Sequence, residues 1–190
     1  MRPAVIIADM VKDNLKPEYS ISAHVRNVLP SVQRLLTVAR ARRYPVIFAC
    51  DSFLPDDFVF RGKMKPHSIQ GTEGAEIMDE LSLEPTDLVV PKRRFSAFFG
   101  TGLEETLRGW RVDTLAIAGV ATHVCVLMTA MDGICHDFRV TVLKDCCASY
   151  REEIHESTVR IYERSPLEPL FCFLTLDDFL AIEETEPTPP

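Results

Sequence analysis

The residue with the clearest chemical potential is Cys125. It closes the run Thr-Leu-Ala-Ile-Ala-Gly-Val-Ala-Thr-His-Val-Cys at residues 114–125. Residues 114–118 have the short apolar character of a buried parallel strand, and Gly119 breaks the run. Thr122 is placed to cap a helix whose apolar positions are Val124, Leu127, Met128, Met131 and Ile134. Cys125 then falls in a first helical turn at the carboxyl end of a strand. Unpaired N–H groups and the helix dipole favour a thiolate there, and a developing oxyanion for the same reason. A small buried hydrophobe is the bland alternative for a free cysteine. Asp9 and Asp51 end two other apolar runs, and Lys92 follows a third by two residues. Singly, Asp9 reads as a cap or ion-pair residue, Asp51 as a turn residue and Lys92 as a solvated loop residue. Together they put acid, base and thiol where open parallel sheets bind ligands, outside the carboxyl ends of the strands.

The elements that must position these residues are legible as apolar runs at 4–8, 46–50, 88–90, 114–118 and 140–143, with a sixth near 170–174. Helical patterns separate most of them. Val28, Val32, Leu35, Leu36 and Ala39 share a face, with Pro30 in a first turn. Leu103, Thr106 and Leu107 mark a short helix, residues 122–137 another, and 153–164 an amphipathic one. Such alternation predicts an α/β fold: a three-layer α/β/α arrangement around a central, mostly parallel six-stranded sheet. One domain spans residues 1–182, and the acidic, proline-rich residues 183–190 read as a flexible tail. Residues 51–74 break the rhythm with a long aromatic loop, a length that in a compact domain marks function or disorder.

Composition narrows the function. The 190 residues are 46% hydrophobic and 26% charged, with a net charge of -7. The acidic balance argues against nucleic acid as a partner, and no basic amphipathic or spanning segment suggests a membrane. The N-terminal apolar run is too short for a secretory signal, so a cytoplasmic location and reduced cysteines are expected. Of six cysteines, Cys50, Cys135 and Cys172 read as core. Cys146 and Cys147 read as structural neighbours with one side chain pointing inward.

Three motifs carry a family resemblance: Asp9-Met10 with Asp13-Asn14, the run Lys92-Arg93-Arg94-Phe95-Ser96-Ala97-Phe98-Phe99-Gly100-Thr101, and Gly119-Val120-Ala121-Thr122-His123-Val124-Cys125. In that order and spacing they resemble the isochorismatase-like cysteine hydrolases, which include nicotinamidases and N-carbamoylsarcosine amidohydrolases. The resemblance covers residues 3–142. It implies a Rossmann-like fold and a catalytic triad of Asp9, Lys92 and Cys125. It also implies a cis peptide at Val120–Ala121 and an oxyanion hole from the N–H groups of Ala121 and Cys125. The implied reaction is cleavage of the C–N bond of a small amide, ureido or carbamoyl compound through a thioester. Nicotinamidase proper and a catalytically silent association domain are the alternatives. The family's habit implies a homo-oligomer, a dimer or tetramer.

Nicotinamidases of the family hold a divalent metal through Asp-x-His and a later His. Here the first motif reads Asp51-Ser52-Phe53, while Pro66-His67 matches the later one. Asp51 and His67 therefore make at most a weak zinc site, and no cofactor is required. Phe53, His67, Phe95, Phe98 and Phe99 are the candidates for lining the substrate pocket. Arg61 or Arg94 could hold a substrate carboxylate, although arginines are more often solvated surface residues.

Overall fold

The computed structural model describes residues 1–185. Its strands are β1 (Pro3–Ala8), β2 (Val46–Asp51), β3 (Leu88–Lys92), β4 (Thr114–Val120), β5 (Arg139–Ala148) and β6 (Phe171–Leu174). They form one sheet in the order β3-β2-β1-β4-β5-β6, and each neighbouring pair is parallel. The helices are α1 (Ser22–Ala41), α2 (Leu103–Gly109), α3 (Leu127–Cys135), α4 (Glu152–Tyr162) and α5 (Leu176–Thr185). Strand side chains alternate between two cores. Val5, Ile7 and Phe48 pack with Val25, Val32, Leu35 and Leu36 of α1 and Phe179 of α5. Ala4, Ile6, Ala8 and Ile117 pack with Leu103 and Leu107 of α2, Ala130 of α3 and Val159 of α4. Two helices thus cover one face and three the other, which is why the central strands are apolar on both sides.

Several elements outrun their sequence boundaries, each for a physical reason. α1 begins at Ser22, so Pro30 lies inside the helix rather than in its first turn. Pro30 is exposed, and the helix face opposite carries the burial that offsets its missing hydrogen bond. β3 continues through Pro91 to Lys92. It is an edge strand, where a residue without an N–H can sit facing solvent. β5 runs on to Ala148 and buries both Cys146 and Cys147, one in each core, because the sheet is covered on both faces. Cys135, expected in the core, is exposed at the end of α3, and Cys172 is half-buried. α5 passes the boundary expected at residue 182. Glu183 there accepts hydrogen bonds from Arg42 and Tyr44 at 3.1 and 3.2 Å. The rest of the expected tail, residues 186–190, lies outside the described residues.

β4 also continues through the glycine expected to break it, reaching Val120. Gly119 has φ +111°, and a Cβ there would stand 2.1 Å from the Ala8 carbonyl oxygen. The register between β4 and β5 shifts at the same place, between Ile117 and Gly119. Glycine is therefore what lets β4 bulge while staying pressed against the end of β1. Replacing it, as in Gly119→Ala, is expected to lower the stability to chemical denaturation by about 2 kcal/mol or more. A midpoint unchanged from the parent protein would contradict this account.

Candidate active site

The chain enters β1, moves outward to β2 and β3, then returns to place β4 on the other side of β1. That reversal opens a crevice at the carboxyl ends of β1 and β4. Asp9 follows β1 directly, in the left-handed region at φ 52°. An L side chain there costs about 1–3 kcal/mol unless the surroundings hold it. They do so through three bonds. The Asp9 N–H donates to the Ala49 carbonyl at 3.0 Å, the Asn14 amide donates to the Asp9 carbonyl at 2.7 Å, and the Asp51 N–H donates to Asp9 Oδ1 at 2.6 Å.

The other carboxylate oxygen, Asp9 Oδ2, accepts from Lys92 Nζ at 2.8 Å. Lys92 also donates to Asp51 Oδ1, the acid that ends β2. Parallel pairing sets this up, because Asp51 lies beside Lys92 in register. All three side chains are buried, and Lys92 is only 1% exposed. Across the crevice, Cys125 Sγ lies within 4.8 Å of carboxylate oxygens of both Asp9 and Asp51. The structure thus brings Asp9, Lys92 and Cys125 together, and adds Asp51 as a fourth member.

The local route to Cys125 differs from the expected cap. Thr122–Val126 form a π-helical turn that leads into α3, and the turn is entered from Ala121. Thr122 makes no side-chain cap; its hydroxyl instead meets His155 Nδ1 at 2.8 Å. The peptide Val120–Ala121 is cis. The Ala121 carbonyl accepts from the N–H groups of Val124 and Val126 at 2.9 and 3.3 Å, which fixes the orientation of the residue ahead of the cysteine.

Electrostatics modify the expectation that the turn at Cys125 favours a thiolate. Burial and then the Asp9 charge push the Cys125 thiol well above its usual pKa, and Lys92 opposes them without prevailing. Burial works against the Lys92 ammonium too, but Asp9, Cys125 and Asp51 outweigh it and hold its pKa well above the ordinary value. The negative charges of Asp9 and Asp51 offset the field of the ammonium at the sulfur. Burial, then the Asp9 charge, raises Asp51 to about 7 despite Lys92. Burial and the neighbouring acids thus disfavour the Cys125 thiolate, and Asp9 lies close enough to take the thiol proton.

His67 stands at the edge of this centre. Its Nδ1–H donates to the Lys65 carbonyl at 2.9 Å, and Nε2 lies 4.0 Å from Asp51 Oδ2. The rings of Phe53, Phe60 and Tyr19 surround it, with centroids 5.5, 5.9 and 6.2 Å away. Phe53 is fully buried, and its backbone bridges to Ile69. Phe53 offers no ligating atom beside Asp51 and His67. Asp51 and Asp9, two of the three clustered donors beside Cys125, are already committed to the Lys92 ammonium. These residues do not fit a divalent metal centre.

The remaining aromatics divide. Phe98 is packed against His136 and Phe138 at the amino end of β5, the rim opposite Cys125. Phe95 and the exposed Phe99 line an apolar groove of about 440 Å³ with His123, Leu127 and Met128. Arg94 lies 3.4 Å from Asp57, and Arg61 lies over the Phe58 ring at 5.9 Å. Asp57, paired also with Arg93, ties the long loop to the end of β3. Residue typing missed His123 and Tyr150, which pack edge to face at 5.5 Å beside the Cys125 turn. The usable signal was position: Tyr150 follows the carboxyl end of β5 by two residues.

Comparison with known proteins gives a consistent result. Residues 3–165 match the isochorismatase domain family. An uncharacterized isochorismatase family protein of Bacillus subtilis is 38% identical over 112 residues, 55% of this chain and 59% of its own length. An Arabidopsis thaliana protein named a probable inactive nicotinamidase is 35% identical over 170 residues, covering 82% of this chain and 85% of that one. An isochorismatase-like hydrolase from Alkaliphilus metalliredigens superposes with a TM-score of 0.87 at 26% identity, over 96% of this chain and 100% of that one. The N-carbamoylsarcosine amidase of Thermoplasma acidophilum does so with a TM-score of 0.80 at 25% identity, over 92% and 96%.

The raised Asp51 has a consequence for stability. A carboxyl whose pKa rises from 3.8 to about 7 on folding binds more protons in the native state between those values. Its contribution is fully present below pH about 4 and is lost as pH rises through about 7. Denaturation of the wild type and Asp51→Asn should therefore shift in favour of the variant between pH 4 and pH 8. A difference between the two proteins that stays constant over that range would contradict the assignment.

Proposed function

We propose, for a chain that belongs to the isochorismatase family of hydrolases, that Cys125 cleaves the C–N bond of a small amide, ureido or carbamoyl compound. The observation that carries the reading is the contact of Asp9 with both Lys92 and the Cys125 thiol in one buried crevice. The thiol proton passes to Asp9 as Sγ attacks the carbonyl carbon. The N–H groups of Ala121 and Cys125 hold the oxyanion, in a region that excludes water. Collapse of the tetrahedral adduct breaks the C–N bond, and Asp9 gives its proton to the departing amine or ammonia. Water then attacks the thioester, loses a proton to Asp9 and releases the acid, and the proton returns to sulfur. Lys92 holds Asp9 and Asp51 in place and keeps the charge of the centre near balance throughout.

The buried Phe53 beside His67 supports a reaction without a resident metal, with a substrate other than nicotinamide. Substrate contacts fall to Phe95, Phe99 and His67, with Phe53 acting as the wall behind His67. Phe98 faces the far rim and takes no part in this reading. The exposed Phe99 and Met128 suit a subunit contact of a homo-oligomer.

Ammonia release over a panel of small primary amides, ureido acids and carbamoyl amino acids tests the chemistry. Cys125→Ala should lower kcat/KM by about 1,000-fold or more on any compound turned over. Turnover that survives the substitution would refute cysteine catalysis, and no turnover of any compound would favour a silent domain. Dialysis against a chelator should leave the rate within about twofold, and a larger loss restored by zinc would overturn the metal-free reading.

A further inference from the structure

Tyr150 has no part in the chemistry just described, yet its placement is specific. The sheet order β1-β4-β5 puts the end of β5 on one side of the Cys125 turn and the end of β1, with Asp9, on the other. Ala148 pairs with Val120, the residue before the cis peptide, and Tyr150 follows two residues later on the same rim. Its ring packs edge-on against His123, which lies two residues before Cys125. His123 is itself held, with Nδ1 3.0 Å from the hydroxyl of the buried Ser149. Tyr150 is 42% exposed, and its ring is anchored on His123. Its hydroxyl has no hydrogen-bond partner among the described residues.

The reaction leaves one direction around the carbonyl carbon unassigned. The oxyanion points at the Ala121 and Cys125 N–H groups. The departing nitrogen must face Asp9, which protonates it, on the β1 side. The acyl substituent then extends toward β5. We infer that Tyr150 is the specificity residue of this site, donating its hydroxyl to an oxygen or nitrogen acceptor on the acyl side of the substrate. The favoured class is amides whose acyl group carries such an acceptor close to the scissile carbonyl, as in 2-oxo, 2-hydroxy and carbamoyl compounds. The phenol lies within reach of the negative charge of the centre. After burial, that charge pushes its pKa up to about 12, which keeps it a donor throughout the neutral range.

This inference rests on the cysteine chemistry proposed above, and the two fail differently. The experiment compares wild type, Tyr150→Phe and Cys125→Ala over matched primary amides, one set with an acyl-side acceptor and one purely aliphatic. Tyr150→Phe keeps the ring and its contact with His123. It should lower kcat/KM by about 10-fold on the acceptor-bearing set, with less than about twofold change on the aliphatic set and an unchanged melting temperature. A Cys125-dependent activity that Tyr150→Phe leaves unchanged on both sets overturns this inference alone. An equal loss on both sets overturns it too, because that is the mark of a structural role. Absence of any Cys125-dependent turnover overturns the underlying chemistry and this inference with it.

Discussion

An ammonium buried between two carboxylates is the constraint on which the rest of the site depends. Lys92 is almost wholly removed from water, and Asp9 and Asp51 replace its hydration. Breaking such a pair by removing one partner typically costs about 3–5 kcal/mol, because the other charge stays buried. The three strands that deliver these groups, β1, β2 and β3, are consecutive in the sheet. Their relative register is therefore tied to the charge balance of the crevice. Sulfur completes the set from β4, the strand on the other side of β1. Burial and the nearby acids work against a thiolate there, and Asp9 stands beside the sulfur to take its proton.

Backbone geometry at the rim serves the same end. Asp9 sits in a left-handed conformation and Gly119 in one that only glycine tolerates. The two are neighbours across the β1–β4 pairing, where Ala8 opposes Gly119. Without a side chain on Gly119 the strands stay close at the point where they diverge to form the crevice. The π-turn after Ala121 then brings Cys125 back over that opening. The strain held at Asp9 is balanced by three hydrogen bonds from separate segments, so the position of its carboxylate depends on β2 and on the turn at Asn14 together.

The neighbourhood of His67 shows how one residue type redirects a site. A ligand at position 53 would join Asp51 and His67 in a possible coordination shell. Phe53 instead packs against Phe60 and His67 and builds an apolar wall. Asp51 is then left to pair with Lys92, and burial raises its pKa. The same carboxylate that would serve a metal elsewhere belongs here to the charge balance of the thiol centre.

The sequence alone determined the layer architecture, since apolar runs alternating with helical faces can bury their surfaces only as a parallel sheet covered on both sides. It also determined the identity of Asp9, Lys92 and Cys125 as reactive types at strand ends. Local pattern could not reveal that β4 would run through Gly119, because the close approach to Ala8 is a contact between residues far apart in the chain. Nor could it tell that Phe98 turns to the opposite rim while Phe99, its neighbour, stays exposed. The partnership of Asp51 with Lys92, the burial that works against a Cys125 thiolate and the packing of Tyr150 on His123 were decided by tertiary structure. Each depends on distances and burial between separate strands, and those arise only once the sheet has set its order and register.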